Sequence, residues 1–154
     1  ETFVTKKIIS ALCKIKEGKQ KKLFLGNLNA KRDWGHARDY CLAMWKILQQ
    51  KKPDDYVIAT GVQYSIKQFI NLTAKKLKMK ITWKGSGLKE RGYNERGIPI
   101  IECDKSYLRP LDVNTLIGDA KKARRKLKWK PVENINSLIE EMINSEYQFL
   151  NDNY

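Results

Sequence analysis

Two arginines carry the chemistry most worth following in this chain. Arg32 stands in the stretch "NLNAKRDWGHARDY", residues 27–40, and Arg109 in "YLRPLDV", residues 107–113. A guanidinium is permanently charged, and its planar fork matches phosphate oxygens two at a time. Two such forks from distant parts of a chain can clamp a diphosphate. Pro110 biases Arg109 toward extended backbone. Asp112, three residues beyond Arg109, offers acceptors for sugar hydroxyls. The competing reading is internal: Arg32 pairs with Asp33 or Asp39, and Arg109 with Asp112, as structural ion pairs.

The first stretch also holds the only histidine, His36, between Asp33 and Asp39. One imidazole and two carboxylates in a lysine-rich loop fall short of a metal's ligand set, and no metal is assigned there. Neither phosphate-cradling loop, GxGxxG or GxxxxGK[ST], is present, and HExxH is absent. No tyrosine has a lysine four residues on; Tyr64 has Lys67 at three. Cys13, Cys41 and Cys103 form no CxxC pair. The spacing therefore assigns no catalytic and no cofactor-binding residue. Cys13 and Cys41 fall on apolar helical stripes and are expected as small core residues. Trp34 is expected as a loop anchor rather than a platform for a base, and Trp129 as a helix end packed on the core.

The elements that must position these residues follow from periodicity. Val4, Ile8, Leu12 and Ile15 predict a helix over 3–16, stopped by Gly18. "KLFLG", 22–26, predicts a strand, and Arg32 then falls in a loop between strand and helix. Ala37, Tyr40, Cys41, Met44, Trp45 and Leu48 make a wide apolar helical stripe, ended by Pro53. "YVIATG", 56–61, predicts a strand buried on both faces. Ser65 and Gln68 form a capping box for a helix carrying Ile66, Phe69, Ile70, Thr73 and Leu77. Strands are predicted at 80–83 and 98–103, the second near an edge because of Pro99, with 84–97 as a hairpin tip between them. Asp119 can cap a helix over 120–128, and a last amphipathic helix runs from Ile135 to Leu150.

This is an interleaved α/β pattern in 154 residues, enough for one modest domain. Only one strand of the 36–78 region looks fully buried, and the chain opens at Glu1 directly into helical pattern. Both features suggest the back part of a longer protein. A net charge of +14 invites anionic partners such as nucleic acid, phosphorylated small molecules or acidic lipid. The plainer reading is lysines on solvated helical faces. No window approaches the roughly 18 apolar residues of a membrane span. An odd cysteine count without a secretion signal suggests reduced thiols and a cytoplasmic protein.

"LFLGNLNAKRDWGHARDYCLAMWKILQQKKPDDYVIATG", 23–61, with "ETFVTKKI", 1–8, and "YLRPLDVNTLIGDAKKARRKLKWKP", 107–131, resembles the GDP-mannose 4,6-dehydratase family. That family is a branch of the extended short-chain dehydrogenases/reductases that act on nucleotide sugars. RDW followed by RP-x-[DE]-V is shared across that wider group; "GNLNAKRDWGHARDY" is specific to the dehydratases. The resemblance implies the carboxy-terminal part of an NAD(P)-binding, Rossmann-like α/β fold. Residues 1–35 and 62–154 would belong mainly to the smaller nucleotide-sugar domain, and 36–61 would complete the Rossmann domain. It implies conversion of GDP-mannose to GDP-4-keto-6-deoxymannose for deoxysugar synthesis, with NADP as cofactor and a dimer or tetramer as the whole enzyme. The glycine loop, the Tyr-xxx-Lys pair and the catalytic threonine and glutamate would lie upstream. By family role Arg32 and Arg109 would hold the pyrophosphate and Asp112, where the family usually has glutamate, the ribose. Val4, Lys7, Leu23, Gly26 and Lys31 would line the nucleotide pocket.

Two other readings are weighed against it. One is a related nucleotide-sugar epimerase or reductase, which RDW alone would permit. The other is a basic nucleic-acid-binding module, which would interleave exposed aromatics with cations; here most aromatics fall on apolar stripes.

Overall fold

In the computed structural model, which describes residues 3–108, 111 and 113–152, the first apolar stripe becomes helix α1 (Val4–Lys16). Ile8, Ile9, Leu12 and Cys13 are fully buried on it. Lys14 and Lys16 fill its last turn, where cations offset the exposed carbonyls. Strand β1 (Leu23–Leu25) buries its two leucines and turns Phe24 outward. The chain then forms a two-residue strand β2 (Lys31–Arg32) and helix α2 (Ala37–Leu48). Strand β3 (Tyr64–Ser65) pairs antiparallel with β2 and runs straight into α3 (Ile66–Lys76). Both bonds of the Ser65–Gln68 capping box are made.

Strands β4 (Thr82–Lys84), β5 (Arg91–Tyr93) and β6 (Pro99–Cys103) complete a four-stranded sheet with β1, in the order β1-β6-β5-β4. The β1–β6 pair is parallel and aligns Leu23 with Ile101; the other two pairs are antiparallel. Helices α4 (Lys121–Leu127) and α5 (Ile135–Asp152) follow. The main core joins α1, α3 and α5 to β1 and β6 through residues such as Leu12, Phe69, Ile101 and Ile139. A smaller core is separate: Ala43 of α2 meets Ala120, Ala123, Leu127 and Trp129, with Tyr56 and Ile58 against it. The other face of α2 is uncovered, leaving Met44, Trp45 and Leu48 at 61%, 58% and 80% exposure.

Four expectations need correction. Residues 56–61 form no strand pair among the described residues, and Val57 is exposed, because no neighbouring strand lies there to pair with them. The 84–97 stretch is more than a hairpin tip: it contains β5, whose backbone pairs on both sides despite polar side chains. That makes β6 an interior strand, and Pro99 is tolerated because it opens the strand opposite an irregularity at Gly92 and Tyr93. Cys41 is exposed, since α2 packs through its Ala43 face instead. Smaller shifts are a strand at 82–84 rather than 80–83, and a helix whose cap residue is Ala120. Asp119 still accepts the Lys121 N–H at 2.9 Å. No helix among the described residues is long and apolar enough to cross a membrane.

Candidate diphosphate-binding site

The site begins where β1 ends. The Asp104 N–H donates to the Leu25 carbonyl at 2.8 Å, extending the parallel β1–β6 ladder by one bond. Beyond it, Gly26 passes so close to residue 107 that a Cβ would stand 2.3 Å from the Tyr107 carbonyl oxygen. Only glycine permits this approach. From α1, the Lys7 ammonium lies 3.3 Å from the centre of the Tyr107 ring, a cation–π contact. Asp104 accepts both the N–H and the hydroxyl of Ser106 at 2.8 Å. Those two bonds hold its carboxyl below the usual range. The chain that leads to Arg109 is therefore pinned on α1 and on the end of β1.

The chain that leaves Asp112 is pinned on β2. The Lys31 N–H donates to the Asn114 carbonyl at 2.8 Å, and the Leu116 N–H donates to the Lys31 carbonyl at 3.2 Å. The Arg32 guanidinium donates to the carbonyls of Lys31 and Val113, at 2.8 and 2.6 Å through Nη1. Asn27 adds a 3.4 Å contact to Asn114. Arg32 thus sits in a short strand rather than a loop, flanked by β3 and by residues 113–116. Arg109 and Asp112 themselves lie outside the described residues.

The carboxylates beside Arg32 serve the backbone. Asp33 accepts the N–H groups of Thr60, Gly61 and Gly118 and the Thr60 hydroxyl. Asp39 accepts the N–H groups of Val132 and Glu133, and its carbonyl takes the Trp129 indole N–H at 2.9 Å. Both aspartates are explained by these bonds without an ion pair to Arg32. His36 caps α2: its Nδ1 accepts the Arg38 N–H, which leaves Nε2 to donate to Glu141 at 3.2 Å. Trp34 packs on Phe69 with ring centres 4.9 Å apart.

Of the other predicted site residues, Lys7, Gly26, Lys31 and Arg32 border the 107–116 segment. Val4 opens α1, half-buried against the main core. Leu23 stands apart: it opens β1 and is 1% exposed in that core. Sequence reasoning missed Tyr107, Asn114 and the role of Asp33. The adjacency of Asp33 to Arg32 was the available signal, and it suggested an ion pair instead. Two neighbouring concavities, of about 480 and 370 Å³, lie at the α3–β4 turn and between β4 and the β5–β6 turn, and contain none of these residues.

The family model described as GDP-mannose 4,6 dehydratase matches residues 1–142. The chain belongs to the GDP-mannose 4,6-dehydratase family. It is 45% identical over 146 residues to GDP-mannose 4,6 dehydratase 2 of Caenorhabditis elegans, a match covering 95% of this chain and 38% of that protein. It is 44% identical over 154 residues to GDP-mannose 4,6-dehydratase of Vibrio cholerae, covering 93% of this chain and 41% of the relative. The solved structure of RMD from Pseudomonas aeruginosa, complexed with NADPH, superposes on 96% of this chain and 43% of its own, with a TM-score of 0.76 at 17% identity. That likeness shows a shared α/β fold over the matched part of that structure. The family chain thus spans about two fifths of the relatives it matches.

Proposed function

We propose that this chain is the GDP-sugar-binding, carboxy-terminal part of a GDP-mannose 4,6-dehydratase. Arg32 and Arg109 grip the pyrophosphate, Asp112 takes the ribose hydroxyls, and Lys7, Gly26 and Lys31 border the nucleotide. The observation that supports this reading is the docking of β2 against residues 113–116, in which the Arg32 guanidinium donates to the carbonyl of Val113, the last residue of RP-x-D-V. Residues 36–61 are proposed to complete a Rossmann domain. The uncovered face of α2 and the unpaired 56–61 stretch support that division.

A nicotinamide cofactor does not fit the end of β1. β1 does end in glycine, but the Tyr107 carbonyl fills the space beside Gly26, and the chain continues into β2 rather than a helix. No dinucleotide cradle is formed there. NADP chemistry in the whole enzyme falls to other residues. The part played by this chain is binding energy at the remote GDP end, which positions the mannose ring.

Calorimetric titration of the chain with GDP and GDP-mannose tests the proposal. Arg32→Ala is expected to weaken GDP binding roughly 10- to 100-fold, the worth of a charge-assisted phosphate contact. An unchanged affinity refutes the pyrophosphate role. Equal binding of UDP would favour an epimerase instead. Tighter, steeply salt-dependent binding of RNA would favour the nucleic-acid reading.

A further inference from the structure

We infer that Asp33 is a positioning residue for the diphosphate arm: it sets the direction of Arg32 by clasping two chain segments behind it, 60–61 and 118. The inference rests on the diphosphate role proposed for Arg32. Each carboxylate oxygen of Asp33 takes two donors. Oδ1 receives the Thr60 N–H at 3.0 Å and the Thr60 hydroxyl; Oδ2 receives the Gly61 N–H at 2.9 Å and the Gly118 N–H at 3.3 Å. Charge-assisted bonds of this kind are about twice as strong as neutral ones.

The segment that bears Asp33 and the two that it clasps belong with different cores. Asp33 follows β2, whose neighbours Ala30 and Trp34 pack with the main core. Thr60 and Gly118 belong with the smaller one. A Cβ on Gly118 would stand 2.2 Å from the Ala59 Cβ, so these two stretches are in close contact. Arg124 of α4 donates to the Thr60 carbonyl at 2.9 Å. Asp33 is therefore where the unit bearing Arg32 is bolted to the unit bearing α2 and α4. Arg32 is the next residue, so any swing of Asp33 turns its guanidinium away from the Val113 carbonyl.

Asp33→Asn keeps the shape but puts an amide donor where one oxygen accepted two N–H groups. The test is a double-mutant cycle on GDP affinity, using the full chain as wild type, Asp33→Asn, Arg32→Ala and the double variant. Asp33→Asn is expected to weaken GDP binding about tenfold in the wild-type background and less than about twofold in the Arg32→Ala background. Equal losses in both backgrounds would mean a general structural effect and overturn the inference. So would no loss at all from Asp33→Asn while Arg32→Ala weakens binding. If Arg32→Ala alone leaves GDP affinity unchanged, the diphosphate role itself fails. Thr60→Val removes one of the four donors and leaves the backbone ones. It should repeat the coupled pattern at about threefold, and it decides the matter if Asp33→Asn does not fold; an additive Thr60→Val effect, or none, then overturns the inference.

Discussion

Gly26→Ala isolates the close approach on which the proposed site depends. The backbone of Gly26 is not in the left-handed region, so alanine meets no conformational penalty and only the contact changes. Its Cβ would lie 2.3 Å from the Tyr107 carbonyl oxygen and 2.8 Å from the carbonyl carbon. Both are main-chain atoms, and neither can swing aside as a flexible side chain would. Restoring an ordinary 3.4 Å contact opens the gap by 3.4 − 2.3 = 1.1 Å. Overpacking of this kind costs roughly 1–3 kcal/mol. For a chain of 154 residues that is a fall in Tm of about 3–10 °C. The displaced partner leads directly to Arg109, and a misplacement near 1 Å in a positioned group costs up to about 100-fold. GDP affinity should therefore fall about tenfold or more. Thermal unfolding by circular dichroism and calorimetric titration with GDP read the two effects separately. A Tm within about 1 °C of wild type with unchanged GDP affinity would refute the reasoning. A lowered Tm with unchanged affinity would show that the crossing is structural and delivers no ligand contact.

Three further outcomes follow from the packing. Glu146 is buried; burial pushes its carboxyl up, but bonds from Lys6 and Ser10 outweigh this and hold it below the usual value. A lowered folded value adds stability above the unfolded value near 4.5 and loses it as pH falls through the folded one. Glu146→Gln should cost about 1–3 kcal/mol at neutral pH and converge on wild type in acid, whereas parallel stability-versus-pH curves would refute the pairing. Trp45→Lys with Leu48→Lys, on the uncovered face of α2, should lower self-association by light scattering and change stability by less than about 1 kcal/mol; a larger loss would show that this face is packed. Among the thiols, exposed Cys41 should alkylate first and half-buried Cys103 more slowly, since burial and then Glu90 push its thiol up. Cys13, buried and pushed up to about 11, should alkylate only on unfolding, and early labelling in peptide mass spectrometry would overturn the packing of α1.

Helices α1, α3 and α5 were legible in the sequence because each buries one stripe whose residues sit at fixed spacing; the stripe of α2 marked its helix although most of it is uncovered. The Ser65–Gln68 box marked a boundary to the residue, since capping is local chemistry. β5 was not legible: Arg91, Gly92 and Tyr93 have no apolar alternation, and the strand is made by backbone bonds on both sides. The 56–61 stretch failed for the opposite reason. Its composition suits a buried strand, but pairing needs a partner, and composition cannot supply one. Arg32 was legible as a phosphate fork from its residue type. Its surroundings were not, because Asp33 satisfies main-chain groups 27, 28 and 85 residues away in sequence.

The geometry explains how two stretches so far apart in sequence would serve the one proposed site. β1 and β6 are the parallel neighbours in the sheet, so their carboxyl ends leave it on the same side. β1 delivers Gly26 and, five residues on, Lys31; β6 delivers Asp104 and then Tyr107. In open α/β sheets ligands gather beyond the carboxyl ends of parallel strands, where loops diverge and the backbone is free to bind. An antiparallel β1–β6 pair would have sent the two stretches to opposite ends. The crossing at Gly26, the Lys7–Tyr107 contact and the docking of 113–116 on β2 then hold the two stretches side by side. Loosening any one of them from the far side, as Tyr107→Leu would loosen the Lys7 contact, should weaken GDP binding in calorimetric titration.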